Sequence, residues 1–254
     1  MLKIQKYTQV QSLDEAYQII NKNRNNLIIG GMIWLKMEDR FVPEAVDLSL
    51  LGLDKIEELE DEFQIGCMCT LRQIEIHKEL NDLCHNVLKD AICDIVGVQL
   101  RNMATIGGSI YSRFGFSDVL TALMCLDCDV ILFKKGRMSL KEFVNLPFEK
   151  DIITHVCIKK RQYHSTFVCV RRSATDISVL NMSLTQEDDY YRVVVGARPQ
   201  KALYMEVSRQ LSVEEIIIEV KKNAICEGNM RASQEYREKL VEALLIKGLK
   251  KLED

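Results

Sequence analysis

The sequence predicts an α+β fold, on three observations. Short apolar runs interleave with helical spacings over the first two thirds of the chain. Beyond about residue 160 the pattern changes to three strand-like runs, Phe167–Val170, Ile177–Leu184 and Tyr190–Val195, followed by two amphipathic segments, which reads as a small antiparallel sheet with helices on one face. The 254 residues, 47% of them hydrophobic and 28% charged, suffice for a packed core in one large domain or two modest ones.

In chain order, Ser12-Leu-Asp-Glu15 has capping-box spacing and opens a helix through Leu13, Ala16, Tyr17 and Ile20. Asn25-Asn26 turns the chain into a short strand, Leu27-Ile-Ile29, stopped by Gly30-Gly31; Met32–Met37 then leads toward Val46-Asp-Leu48. Phe63–Gly66 reads as a strand, and Thr70 caps a helix through Leu71, Ile74 and His77. Leu83–Ile95 reads as one helix, Gln99–Asn102 as a polar turn, and Val119–Cys125 as a helix. Asp129–Phe133 is a strand closed by Lys134-Lys-Gly136. Gln186–Asp189 is a hairpin turn, and Val213–Asn223 and Ser233–Leu252 are amphipathic helices. The second places Tyr236, Leu240, Val241, Leu244, Leu245 and Leu249 on one side.

Composition excludes several classes of function. The 34 Lys+Arg against 37 Asp+Glu give a net charge of −3, which provides no general affinity for nucleic acid or acidic membranes. The N-terminal residues are polar and mixed, unlike a signal peptide, and no run of about 18 apolar residues predicts a membrane helix. Nine cysteines are too dispersed for a zinc or iron–sulfur site and read as small buried hydrophobes in a reducing cytoplasm. Four histidines without metal-like spacing leave no metal site expected.

Two diglycines carry the chemistry. Gly30-Gly31 follows a buried strand, and Gly107-Gly108 follows Ala104-Thr-Ile. Neither matches a dinucleotide fingerprint or an ATP-type phosphate loop. Paired glycines can take positive φ, and their N–H groups can converge on an anion. Two such loops brought together can hold the two phosphates of a dinucleotide; each alone is also compatible with a plain tight turn.

The run Gln99-Leu-Arg-Asn-Met-Ala-Thr-Ile-Gly-Gly-Ser-Ile110, followed by Asp118-Val-Leu-Thr-Ala-Leu-Met-Cys-Leu126, resembles the second flavin loop of the FAD-binding medium subunits of molybdenum hydroxylases, such as xanthine dehydrogenase and carbon monoxide dehydrogenase. Ile29-Gly-Gly-Met-Ile-Trp34 corresponds to that family's first loop. Ser12-Leu-Asp-Glu-Ala16, Val46-Asp-Leu-Ser49, Arg171-Arg172 with Asp176-Ile177, and Met230-Arg-Ala-Ser-Gln-Glu-Tyr-Arg237 match further family segments in order, across nearly the whole chain.

The resemblance implies a two-subdomain PCMH-type FAD-binding region at 1–162, with subdomains of about 1–53 and 54–162, then a C-terminal α+β domain at 163–254, a small antiparallel sheet with helices. It implies cofactor-binding positions Ile29, Gly30, Gly31, Met32, Ile33 and Trp34 in the first loop. In the second it implies Arg101, Thr105, Ile106, Gly107, Gly108, Ser109 and Ser112, with Asp118, Phe167 and Asp176 beyond it. The pyrophosphate would lie between the loops, Asp118 would reach a polar part of the cofactor, and Phe167 would be an aromatic beside the flavin. No acid–base catalytic residue is implied, because the redox chemistry belongs to the cofactor. Electrons would come from 2Fe–2S centres on a small subunit, fed by a molybdopterin-binding large subunit, and leave to NAD⁺ or another acceptor.

The chain departs from the family pattern in two places. Met32 and Ile33 stand at commonly polar positions, and each lost side-chain hydrogen bond to phosphate costs on the order of 1–3 kcal/mol, whereas backbone donors are unaffected. Ser112-Arg-Phe-Gly-Phe-Ser-Asp118 replaces a stretch of small residues; Phe114 and Phe116 can pack on a flavin or adenine face, or in the core. The alternative these departures raise is a structural or docking subunit of the same complex with weakened or lost flavin binding.

Overall fold

The computed structural model describes residues 1–253. The first elements are β1 (Lys3–Gln9), α1 (Leu13–Lys22), β2 (Leu27–Ile29), β3 (Phe41–Asp47), β4 (Ile56–Glu58) and β5 (Glu62–Gly66). A mostly helical middle follows: α2 (Leu71–Ile76), α3 (Lys78–Leu83), α4 (Val87–Ile92), α5 (Val98–Arg101), α6 (Ile106–Tyr111) and α7 (Asp118–Met124). Then come β6 (Cys128–Leu132), β7 (Gly136–Ser139), α8 (Leu140–Asn145), β8 (Ile153–Lys159), β9 (His164–Val170), β10 (Leu180–Gln186), β11 (Tyr190–Gly196) and β12 (Leu203–Ser208). Two helices, α9 (Val213–Asn223) and α10 (Gln234–Glu253), close the chain. The chain divides into two compact units. The first comprises Met1–Gln73, Val98–Tyr111 and Cys128–Lys159; the second comprises Ile74–Gly97, Ser112–Asp127 and Lys160 onward.

The first unit holds two sheets. In the smaller, β3 runs parallel between β1 and β2, with Leu27 opposite Ala45 and Ile29 opposite Asp47. A parallel connection needs a crossover, and α1 supplies it between β1 and β2. Ser12 accepts the Glu15 N–H at 3.1 Å and so caps α1, while the Glu15 carboxylate reaches back to the Gln11 N–H at 2.9 Å. Ala16 and Ile20 are the buried face of α1. The larger sheet is antiparallel, in the order β4-β5-β8-β6-β7. Gly136 turns its last hairpin at φ +73°, a conformation glycine takes without steric cost.

The second unit is built on the antiparallel sheet β12-β11-β10-β9. Met182, Leu184, Val193, Val195 and Val168 pack with Leu240, Val241, Leu244, Leu245 and Leu249 of α10 and Ile216 and Val220 of α9. On α9, Ser212 and Glu215 form a complete capping box. The alternate residues of β10 are polar and point to the opposite face. There Ser183 donates to the Thr121 carbonyl at 2.6 Å and Thr185 to the Cys125 carbonyl at 2.9 Å, satisfying the C-terminal turn of α7.

Several elements differ from the sequence expectation. The sheet carries α7 on the face opposite α9 and α10, so helices cover both faces. Leu83–Ile95 is not one helix: His85 and Asn86 take φ +50° and +59°, which separates α3 from α4. His77 does not continue α2; its Nδ1 accepts the Leu80 N–H at 3.3 Å and caps α3. Gln99–Arg101 lies within the helical turn α5, and the second diglycine lies inside α6. Tyr236 is exposed, apart from the buried leucines of α10. β1, β4, β7, β8, β12 and α8 were not apparent from the pattern.

Candidate functional site

In the first unit β2 delivers the first diglycine onto the second loop. Ile29 is buried, and Gly30 and Gly31 follow it directly. A Cβ on Gly30 would lie 2.5 Å from Thr105 Oγ1. One on Gly31 would lie 1.8 Å from the Met103 carbonyl oxygen and 3.0 Å from the Ala104 nitrogen. The structure therefore brings the two loops into direct backbone contact, and only residues without a side chain permit it.

The glycines themselves do not take positive φ, contrary to the expectation. The left-handed residue is Met32, at φ +56°. Among the described residues, the N–H groups of Gly31, Met32 and Ile33 donate to no protein acceptor. Successive N–H groups around a left-handed residue form a concave donor surface suited to an anion. The chain then enters a tight helical turn, Leu35–Met37, with Trp34 at its start and exposed.

The second loop is differently constituted. The Leu71 N–H holds the Ala104 carbonyl at 2.8 Å; the Ile106 and Gly107 N–H groups donate to the Cys69 and Cys67 carbonyls, each at 2.9 Å. Thr105 Oγ1 accepts the Gly108 N–H at 3.3 Å, and Ser109 Oγ donates to the Thr105 carbonyl at 2.8 Å. These backbone donors are already used within the protein. Thr105 keeps its own hydroxyl proton to donate. A Cβ on Gly107 would lie 2.8 Å from the Cys67 carbonyl oxygen, so this glycine too is set by close packing. Arg101 and Ile106 are buried, while Gly108 is exposed. The first loop offers free backbone donors, and the second forms a rigid wall bearing the Thr105 hydroxyl.

The remaining expected positions lie in the second unit. Ser112 is exposed. Phe114 and Phe116 stack on each other, with centroids 5.0 Å apart and planes 13° apart. The turn between them is fixed, since a Cβ on Gly115 would lie 1.8 Å from the Gln200 carbonyl oxygen. Asp118 is buried and pairs with Arg171 at 2.9 Å; its other oxygen accepts Ser178 Oγ at 2.7 Å and Asn181 Nδ2 at 2.5 Å. Burial pushes this carboxyl up, against the opposing pull of Arg171, Ser178 and Asn181. Arg171 also donates to the Asp176 carbonyl at 2.8 Å, and the Asp176 carboxylate accepts Arg231 at 2.9 Å and the Ile177 N–H at 2.8 Å. These last two contacts hold Asp176 below the usual carboxylate range. Phe167 is buried in β9, opposite Ser183.

Sequence reading missed the Met103 backbone, against which Gly31 packs, and Ser178 and Asn181, which hold Asp118; it singled out Arg171 within a matched segment but not its pairing with Asp118. Spacing carries no signal for either, since both are tertiary contacts. The cysteines are all free, and seven of them are buried.

Residues 2–159 match the family model described as the FAD binding domain in molybdopterin dehydrogenase. The FAD-subunit of nicotinate dehydrogenase from Eubacterium barkeri is 25% identical over 200 residues, covering 70% of this chain and 67% of that protein. The medium chain of glyceraldehyde dehydrogenase from Sulfolobus acidocaldarius is 24% identical over 97% of both chains. A chain of carbon monoxide dehydrogenase from Hydrogenophaga pseudoflava, in a form lacking the Mo-pyranopterin moiety, superposes with a TM-score of 0.87 at 16% identity, over 97% of this chain and 96% of that one, and so shares the fold. With two contacting diglycine loops in the matched segment, the chain belongs to the FAD-binding domain family of molybdopterin dehydrogenases, the flavin-bearing components of molybdenum-hydroxylase-type oxidoreductases.

Proposed function

We propose that this chain is the electron-transfer subunit of a heteromeric, xanthine dehydrogenase-like molybdenum hydroxylase. In this reading it receives electrons from 2Fe–2S centres on a small partner, supplied by a molybdopterin-binding large partner, and passes them to NAD⁺ or another acceptor. The family match ends at residue 159, which supports taking 1–162 as the flavin-binding domain and 163–254 as a C-terminal domain. The nine free cysteines support a reducing cytoplasm.

The observation that carries the reading is the unused donor set of Gly31, Met32 and Ile33 beside the Thr105 hydroxyl. These groups fit a diphosphate, which needs several convergent N–H and O–H donors and no specific side-chain length. Bound FAD would supply the exchange between one-electron and two-electron carriers. The chain's own work is to bind and orient. The first loop would donate to the pyrophosphate, and Thr105 would add a hydroxyl donor. The glycine contacts keep the two loops at one spacing. Arg171 holds Asp118 and the Asp176 backbone in one arrangement.

The test is anaerobic reduction of the assembled complex by its substrate, followed by absorbance. The reading predicts that the iron–sulfur bands bleach and the flavin bands follow. Reduced iron–sulfur centres beside a flavin that stays oxidised would contradict the relay.

A further inference from the structure

Lys150 lies in the loop before β8, half-buried, far in sequence from either diglycine. Its ammonium donates to three backbone carbonyls: Ile20 at 2.7 Å, Asn23 at 2.9 Å and Asn26 at 2.9 Å. An ammonium has three protons, so the set is complete. The acceptors are not scattered. Ile20 lies in the last turns of α1, Asn23 is its C-terminal cap, and Asn26 immediately precedes β2. Carbonyls at a helix C-terminus lack intrahelical partners and carry partial negative charge, so a cation there is doubly matched.

The three carbonyls define the whole connection from α1 to β2. β2 is only three residues long; its pairing with β3 and the burial of Ile29 hold the strand, and the connection before it sets how the chain enters it on the way to Gly30 and Gly31. Those glycines have no slack, because Gly31 sits against the Met103 carbonyl with no space for a side chain. The N-terminal end of α1 is secured separately by Ser12 and Glu15. The connection has bonds of its own, Asn26 Nδ2 to the Ile19 carbonyl at 2.8 Å, the Asn26 N–H to the Asn23 carbonyl at 3.0 Å and the Asn25 N–H to Asn23 Oδ1 at 2.9 Å, so it keeps its local turn without Lys150. Removal of the Lys150 ammonium releases that turn from the loop before β8 and leaves the N-terminal end of α1 anchored. Lys150 is itself held in place by its neighbour. Asp151 accepts the Lys134 and Lys135 N–H groups at 3.1 Å and 3.0 Å and the adjacent Ile152 N–H at 2.7 Å, so the loop carrying the lysine is a fixed post.

We propose that Lys150 is a positioning residue for flavin binding, a three-point ammonium clamp that sets the place of the first diglycine loop without touching the cofactor. The inference rests on the flavin-binding reading above.

The experiment measures FAD affinity of the full chain, stripped of flavin and retitrated, together with the thermal midpoint of the stripped protein. The wild-type chain, Lys150→Ala, Lys150→Ala with added propylammonium, and Lys150→Met are compared. The clamp predicts at least about tenfold weaker FAD binding in both variants, with a smaller relative change in thermal midpoint. It also predicts recovery of affinity in Lys150→Ala as propylammonium fills the vacated site, with no effect of the amine on wild type. Wild-type affinity in either variant overturns the proposal. So does weakening that propylammonium leaves unchanged, which marks a merely structural loss. Should Lys150→Ala fail to fold, Lys150→Met, which keeps the aliphatic stem, decides on affinity alone. A wild-type chain that binds no FAD overturns the flavin reading itself and with it the clamp.

Discussion

Gly31 packs against the Met103 carbonyl so closely that a Cβ on it would stand 1.8 Å from the oxygen. This contact, together with Gly30 against Thr105, joins the two loops of the first unit. Backbone atoms cannot yield as a flexible side chain can. Gly31→Ala is therefore expected to separate the loops, with overpacking of roughly 1–3 kcal/mol and loss of bound flavin. Urea unfolding and flavin content, read on the same preparation, check both effects. Retained flavin at full occupancy would contradict the placement of the loops.

Gly107→Val tests the other wall. Its Cβ would approach the Cys67 carbonyl oxygen to 2.8 Å and Cys67 Cβ to 2.9 Å. The expected result is a lowered thermal midpoint and weakened FAD loading, even though the Gly107 N–H already donates inside the protein. A variant as stable and as yellow as wild type would show that the packing is soft.

Met32→Gly separates backbone donation from side-chain contact. Met32 holds φ +56°, which is unfavourable for a side chain and free for glycine. The substitution keeps the N–H and relieves the strain, at the cost of added freedom in the unfolded chain. FAD affinity is expected to stay within about threefold of wild type, because the donor is retained. A loss beyond about tenfold in a titration would assign the Met32 side chain a direct part.

How much of this was legible in the sequence follows from where each signal lies. β2 and its diglycine stop were readable because a three-residue apolar run ends on two glycines. Ser12 was readable as a cap because the capping signal is local. β1 was not, since nearly all its side chains are exposed and no alternation marks it; its pairing with β3 makes it a strand. The helix α6 was not readable because two glycines disfavour a helix by about 1 kcal/mol each. The contacts of Gly107 with Cys67 and of the Ile106 N–H with Cys69 override that preference. His85-Asn86 carries a local hint of the break between α3 and α4, since histidine and asparagine are among the residues that most often enter the left-handed region, but the apolar spacing on either side masks it. In the candidate site, the glycines and Thr105 were legible by resemblance. That the free donors all lie in the first loop, and that Arg171 engages Asp118, required the tertiary structure.

Asp127 gives the second unit a pH dependence. It accepts Arg161 and Arg192, each at 2.6 Å, and Glu187 closes the network on the same two arginines. Burial pushes the Asp127 carboxyl up, but the hydrogen bonds and charges of Arg192 and Arg161 outweigh it and hold the carboxyl below its ordinary value of 3.8. A depressed folded-state value means that the stabilisation is full above the unfolded value and is lost as pH falls through the folded one. Asp127→Asn is therefore expected to be less stable than wild type at pH 7, with the gap narrowing below about pH 4. Urea midpoints at pH 7 and pH 3 read the gap; one that widens in acid would contradict the sign.

The proposed function stands on FAD being held through the two diglycine loops. The most direct measurement is the visible absorbance of the purified, assembled complex, with the released cofactor quantified per chain. Flavin bands and about one FAD per chain are expected, both lost on Gly31→Ala. A correctly assembled but colourless complex would contradict it and would favour a docking subunit without flavin.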